Sequence, residues 1–230
     1  MKKLILTAFA LTTAASVFAQ GTVTFYNRSP LGTSHVWGPS TTAPGMSIVG
    51  TGTNDNVNGV VGGTNGTVAF AANGMALIGA NGTGGKYGNA TTLAQLLDAP
   101  GAGAPESSLL PDGVTTTFKT GTQVGAIVLI TDTLSRIAPD AGNATLEMVA
   151  WDNSTGLYPT WTQASAAWLL GTIAAGKGGA FTLSTIGGSV NTPPYMTPLS
   201  FNLYFVPEPS TFALAGLGLA ALVAFRRRNS

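Results

Sequence analysis

Apolar residues occur along this 230-residue chain in short runs separated by turn-forming residues. Residues 22–26 (Thr-Val-Thr-Phe-Tyr) alternate polar and apolar, the period-2 signature of a strand with one buried face. Residues 66–70 and 75–78 form two further runs, and residues 114–118 are rich in β-branched side chains. Residues 126–130 (Ala-Ile-Val-Leu-Ile) are continuously apolar, which predicts a strand buried on both faces. Alternation returns at 145–151, a short strand is predicted at 181–183, and residues 200–205 close the pattern. Asn-Gly pairs beginning at Asn58, Asn65, Asn73 and Asn81 supply positive-φ turns. Residues 93–97 suit helix or strand, and the β-rich surroundings favour strand. One helix is predicted. Thr160 to Gln163 reads as a capping box with Thr160 as N-cap, Trp161, Ala164 and Trp168 share a face, and Gly171 can end it. Residues 50–66, mostly Gly, Asn, Thr and Val, read as a long surface loop. The pattern as a whole predicts an all-β fold, a single jelly-roll-like β-sandwich over residues 20–205 with one short helix.

Both ends fall outside that pattern. Lys2 and Lys3 precede an apolar run at residues 4–15, and Val17 and Ala19 fit the −3 and −1 sites of a signal peptidase. Residues 1–19 therefore read as a signal peptide cleaved between Ala19 and Gln20, recognised by Sec export machinery. At the other end Val206-Pro207-Glu208-Pro209-Ser210 leads into an apolar stretch at 211–225 and then Arg226, Arg227 and Arg228. Fifteen residues of helix span roughly 22 Å, short of a hydrocarbon core of about 30 Å. Gly216 and Gly218 weaken that helix further. The three arginines are a stop-transfer cluster that stays cytoplasmic. A marginal anchor behind a fixed polar motif suits a removable address, as in lipid-anchor signals whose hydrophobic tail is cut away.

The Pro207-Glu208-Pro209 motif, the Leu/Ala/Gly-rich span and the arginine cluster together resemble the PEP-CTERM sorting domain, over residues 206–230. The resemblance implies an exosortase, a membrane-embedded protease or transpeptidase, as partner. It also implies transient inner-membrane anchoring, cleavage near Pro207-Glu208-Pro209, and delivery to the cell surface or extracellular matrix. More loosely, residues 20–25, 149–152 and 200–203 resemble the body of PEP-CTERM proteins from Verrucomicrobia-like bacteria, a group whose activity the resemblance leaves open.

Charge changes meaning once the ends are set aside. The whole chain carries +1, but five of its ten basic residues lie in the two targeting segments. Residues 20–205 hold five basic and eight acidic residues, a net of −3. Such a body lacks the phosphate-neutralising charge that nucleic acid requires. Cysteine is absent, so there is no disulfide framework and no thiolate site.

Candidate chemistry is sparse. His35 is the only histidine, has no Gly-x-Ser-x-Gly elbow to serve, and reads as a turn residue. Asn54 to Gly59 superficially resembles a calcium loop, but position 12 is Asn65 rather than a glutamate. Residues 79–87 fail the phosphate-loop pattern at Ala80 and Tyr87. Asp132, Asp140 and Asp152 could meet in the fold. Glu106 and Glu147 are the only glutamates of the body and read as solvated surface residues rather than a hydrolase pair. Trp151 and Trp168 read as core, while Trp37, in a Pro/Gly/Ser/Thr loop, is the candidate exposed face for stacking a sugar. No metal or cofactor is expected. The expected function is a non-catalytic structural or interaction protein of the cell surface. An exopolysaccharide-binding module is the alternative, and a secreted polysaccharide hydrolase comes third.

Overall fold

The computed structural model describes residues 20–30, 32–51, 70–196 and 198–207. The signal-peptide residues through Ala19, most of the loop expected at 50–66, and the segment from Glu208 through Arg228 to Ser230 lie outside the described residues. Among the described residues the architecture is all-β, with a single α-helix.

Strand β8 (Asn143–Asp152) runs through its middle, and every residue after Asn143 is buried. Alternation sorts its side chains between two cores. Ala144, Leu146, Met148 and Ala150 enter one, and Val149 and Trp151 enter the other. Strand β5 (Thr92–Pro100) lies antiparallel along β8, from Thr92 opposite Asp152 to Pro100 opposite Ala144. It resolves residues 93–97 as strand, and its own side chains split the same way, Ala94 and Leu96 against Leu97 and Ala99. The outer edge of β5 pairs with β6 (Leu110–Thr116), with a register shift between Ala94 and Leu96. Along the far edge of β8, β10 (Phe181–Ser184) pairs with Asn143 to Leu146 and β9 (Ala175–Lys177) with Val149 to Trp151.

This five-stranded sheet is covered on both faces. On one side lies a two-stranded sheet of β1 (Gly21–Phe25) and β7 (Ile130–Leu134), whose Val23, Phe25 and Leu134 fill the first core. On the other lies helix α1 (Trp161–Leu169), which buries Trp161, Ala164, Ala167 and Trp168 in the second. Trp151, Trp161, Trp168 and Tyr204 form a chain of rings with centroids 5.1–5.9 Å apart. The helix limits follow the sequence signals. The Thr160 hydroxyl accepts from the Gln163 N–H, and Gly171 takes a left-handed φ of 69° just past the end. The Gln163 side chain meets the Thr160 hydroxyl at 3.0 Å rather than its backbone N–H.

Short pieces complete the wall: β2 (Arg28–Ser29) with β3 (Gly32–Thr33), and β4 (Val36–Trp37) parallel to β11 (Phe201–Asn202). Pairs this short leave backbone groups without a ladder partner, and buried asparagines supply the missing bonds. Asn27 donates to the carbonyls of Ser34 and Gly125 and accepts from Ile127 N–H at 2.9 Å. Asn202 accepts from Ile48 N–H at 2.7 Å and donates to the Met46 carbonyl at 2.9 Å.

The run predicted at 75–78 forms no strand, only an isolated bridge from Leu77 to Trp37, and three other predicted strands shift. The apolar run at 126–130 is not one strand buried on both faces. Ile127 bridges to Phe118, Val128 and Leu129 are exposed, and β7 begins only at Ile130. The run turns from one pairing partner to another, so it cannot keep both faces covered. The strand predicted at 114–118 begins earlier, at Leu110, and that at 200–205 pairs regularly only over Phe201–Asn202.

Replacing Asn202 by Ala strands the Ile48 and Met46 groups and should cost about 2–3 kcal/mol in urea unfolding. Asn81→Ala, at an exposed position with no such role, should stay within about 0.5 kcal/mol of the parent.

Candidate functional site

Of the residues singled out in the sequence, Gln20 and Pro207 are the described residues nearest the two ends. Gln20 is half-buried, and Gly21 immediately after it donates its N–H to the Ile137 carbonyl at 2.7 Å. The expected signal cleavage therefore abuts β1 directly.

The C-terminal exit is held more elaborately. Leu203 N–H donates to Trp37 O at 2.8 Å. Tyr204 exchanges backbone bonds with Ala175, at 2.9 and 3.2 Å, and its carbonyl also accepts from Trp168 Nε1 at 2.9 Å. Phe205 N–H donates to Pro44 O at 2.9 Å. Val206 packs against the helix-side core, and a Cβ at Gly171 would lie 3.1 Å from its carbonyl oxygen. Pro207 is exposed and approaches Gly45. Glu208, Pro209, Arg226, Arg227, Arg228 and Ala19 lie outside the described residues.

Trp37 corrects an expectation. It is 2% exposed and stacks on Phe70, with centroids 5.3 Å apart and planes 3° from parallel. Its polar neighbours in sequence suggested a surface loop, but Phe70 and Met75, over thirty residues away, bury it. No sugar can reach that face. Nearby, Gly38, Thr41, Gly74, Leu77, Asn81 and Tyr87 line a recess of about 230 Å³. Tyr87 holds a left-handed φ of 61° beside it, a strained choice for a large side chain.

The carboxylates also depart from expectation. Glu147 is 1% exposed rather than solvated, because β8 has no solvent face. Burial, with the Glu106 charge adding, pushes it up to about 7, and Lys177 offsets this only in part. Lys177 Nζ lies 2.6 Å from Glu106 Oε1 and 3.9 Å from Glu147 Oε2. Asp132, Asp140 and Asp152 do not converge. Asp140 caps the backbone N–H groups of Ser189, Val190 and Asn191, and Asp152 accepts from Ser154 N–H in the turn expected after β8. Among the described residues no three His, Cys, Asp or Glu side chains gather as metal ligands.

A different acidic seam joins β5 and β6 to β7. Asp98 is fully buried and ion-paired to Arg136, with the Asp112 carboxyl as its neighbour across the β5–β6 edge. Burial and the nearby Asp112 carboxyl raise Asp98 to about 7, while Asp98 and the bonds from Gly113 and Ser135 hold Asp112 below its ordinary value despite its own burial. Asp132 accepts from Val114 N–H and Thr133 N–H, and burial raises it to about 6. Gly113 has a φ of 66°, and any Cβ there would collide with the Asp132 carboxylate. The seam was invisible in sequence because its members meet across 14 to 38 positions. The one signal was Asp98 itself, a charge set inside an otherwise uncharged strand.

These groups set a pH dependence. The raised pKa values of Asp98, Glu147 and Asp132 mean the folded state binds protons that the unfolded chain has released. Their contribution is full below about pH 4 and is lost as pH rises through 6 to 7. His35 is depressed to about 4 by burial and the Arg28 charge, so its contribution runs the other way between pH 4 and 6.5. Above pH 6.5 only the carboxylates remain. The thermal midpoint should therefore fall between pH 6.5 and 8, and Glu147→Gln should flatten that slope.

Comparison with known proteins adds one finding. Neither the curated proteins nor the solved structures contain a match to this chain. A family model described as the PEP-CTERM protein-sorting motif matches residues 205–228. The match covers the chain from the last bonded residues of the body outward, and a sorting motif of this kind implies export and processing by an exosortase. The chain thus carries a PEP-CTERM protein-sorting motif over residues 205–228.

Proposed function

We propose that this is an exported surface protein with no catalytic role of its own. Its signal peptide is removed after Ala19, and residues 211–225 hold it briefly in the inner membrane. An exosortase then cuts near Pro207-Glu208-Pro209, and the body passes to the cell surface or extracellular matrix as a structural or interaction component. The observation that carries this reading is the sorting motif at residues 205–228. The body's chemistry is consistent with it. Asp98, Asp112 and Asp132 are engaged with the scaffold, and Lys177 sits against both Glu106 and Glu147, where a glycosidase would need room for sugar and water.

A second reading is supported by the recess beside Tyr87. At about 230 Å³ it is smaller than most small-molecule pockets, which run from about 300 Å³. An aromatic ring with the Asn81 amide and the Thr41 hydroxyl suits one sugar unit of an exopolysaccharide. This moves the proposed glycan contact from Trp37 to Tyr87. Tyr87→Ala and Asn81→Ala should each weaken retention on immobilised exopolysaccharide, and retention unchanged in both excludes the recess as the contact.

For the main reading, Glu208→Ala should leave an uncut, membrane-retained precursor. Mass spectrometry of the native mature protein should show Gln20 at its start and a C-terminus close to residue 207. Normal maturation of the Glu208→Ala chain would overturn exosortase processing at this motif.

A further inference from the structure

The body holds its C-terminal strand into the first residues of the sorting motif. Backbone bonds fix Leu203, Tyr204 and Phe205, and Val206 and Pro207 rest on Gly171 and Gly45. Only Glu208, Pro209 and Ser210 separate Pro207 from the apolar stretch that begins at Thr211. Those four Cα steps reach at most about 14 Å. The headgroup layer on each side of a bilayer takes up about half of that reach, since hydrocarbon core and full thickness differ by about 10–15 Å. With residues 211–225 inserted, whatever surrounds the exit lies against the membrane.

The residues that touch the exit are uncharged: Trp37, Pro44, Gly45, Trp168, Gly171 and Ala175. At the end of α1, next to Gly171, Leu169 is 64% exposed and Leu170 is 77% exposed. Neither joins a core cluster. Large apolar side chains exposed together, at the one corner where the chain leaves for a membrane segment, match the bilayer interface in chemistry and position.

We propose that the corner bearing Leu169 and Leu170 beds into the lipid interface while the C-terminal segment is inserted, and so presents the Pro207-Glu208-Pro209 junction at the membrane surface. The inference rests on the insertion described above. Bedding the leucines fixes the tilt of the body, so the short tether enters the membrane at one angle and the junction stays at one depth. A membrane-embedded protease then meets a substrate that is already oriented.

The absence of native cysteine allows a direct test. Full-length precursors carrying Leu170→Cys, or Thr133→Cys on exposed β7 in the opposite layer, are labelled with an environment-sensitive fluorophore. They are then reconstituted into phosphatidylcholine/phosphatidylglycerol vesicles containing a lipid-borne quencher. The expected result is that the label at 170 shifts to the blue and loses most of its emission, while the label at 133 does neither. If the precursor floats with the vesicles but both labels are quenched alike, the docking is wrong and insertion stands. If the precursor does not float, insertion itself fails and the docking with it. Shielding at 170 that requires added exosortase assigns the corner to a protein partner and overturns the lipid assignment. In cells, Leu169→Ser with Leu170→Ser should slow maturation several-fold without lowering the thermal midpoint of the purified body, and an unchanged maturation rate counts against the proposal.

Discussion

The structure depends on one strand having no solvent face. β8 is bonded on both edges and packed on both sides, so each neighbour is placed by what β8 requires of it. Its even-numbered side chains need a cover and receive β1 and β7. Its odd-numbered side chains receive α1, with Trp151 as the surface onto which Trp161 and Trp168 fit. The same constraint explains Thr145 and Glu147. Polar groups on a strand without a wet side must find partners, and Thr145 does so by donating to Gly101 O and accepting from Ala104 N–H.

Around that strand the chain is stabilised without disulfides, and among the described residues with few ion pairs. Irregular segments are stitched by side-chain amides, where a longer-stranded protein would use ladder bonds. Asn27 and Asn202 each tie together backbone from separate parts of the wall. This gives a physical sense to a composition rich in asparagine and glycine. Glycine allows close approaches, such as that of Gly113 to the Asp132 carboxylate, and Asn27 and Asn202 bond backbone groups elsewhere in the wall. Buried carboxyls serve in a similar way, at the cost of titrating near neutrality.

What could be read in the sequence was local. The limits of α1 were legible because Thr160 and Gly171 act on their own neighbours. The strands at 22–26, 145–151 and 181–183 were legible because alternation records one face at a time. Trp37 was misread for the same reason: Gly38, Pro39 and Ser40 look like open loop, and the ring that covers Trp37 belongs to Phe70. Glu147 was misread because a single glutamate among apolar neighbours is ambiguous until the number of sheet faces is known. The Asp98–Asp112–Arg136 seam depends on the register of β5 against β6 and on where the chain leaves β7, and neither is written in local pattern. The sorting motif was legible in full because the processing machinery reads it as sequence.

The bonded run from Leu203 to Phe205 also works as a ruler. A protease takes its substrate in extended form, and the peptide bonds of Tyr204 and Phe205 are withheld from it by Ala175, Trp168 and Pro44. Under the proposed processing, a cut near Pro207-Glu208-Pro209 would fall just beyond these bonded residues, so the folded body would keep its last backbone ties intact.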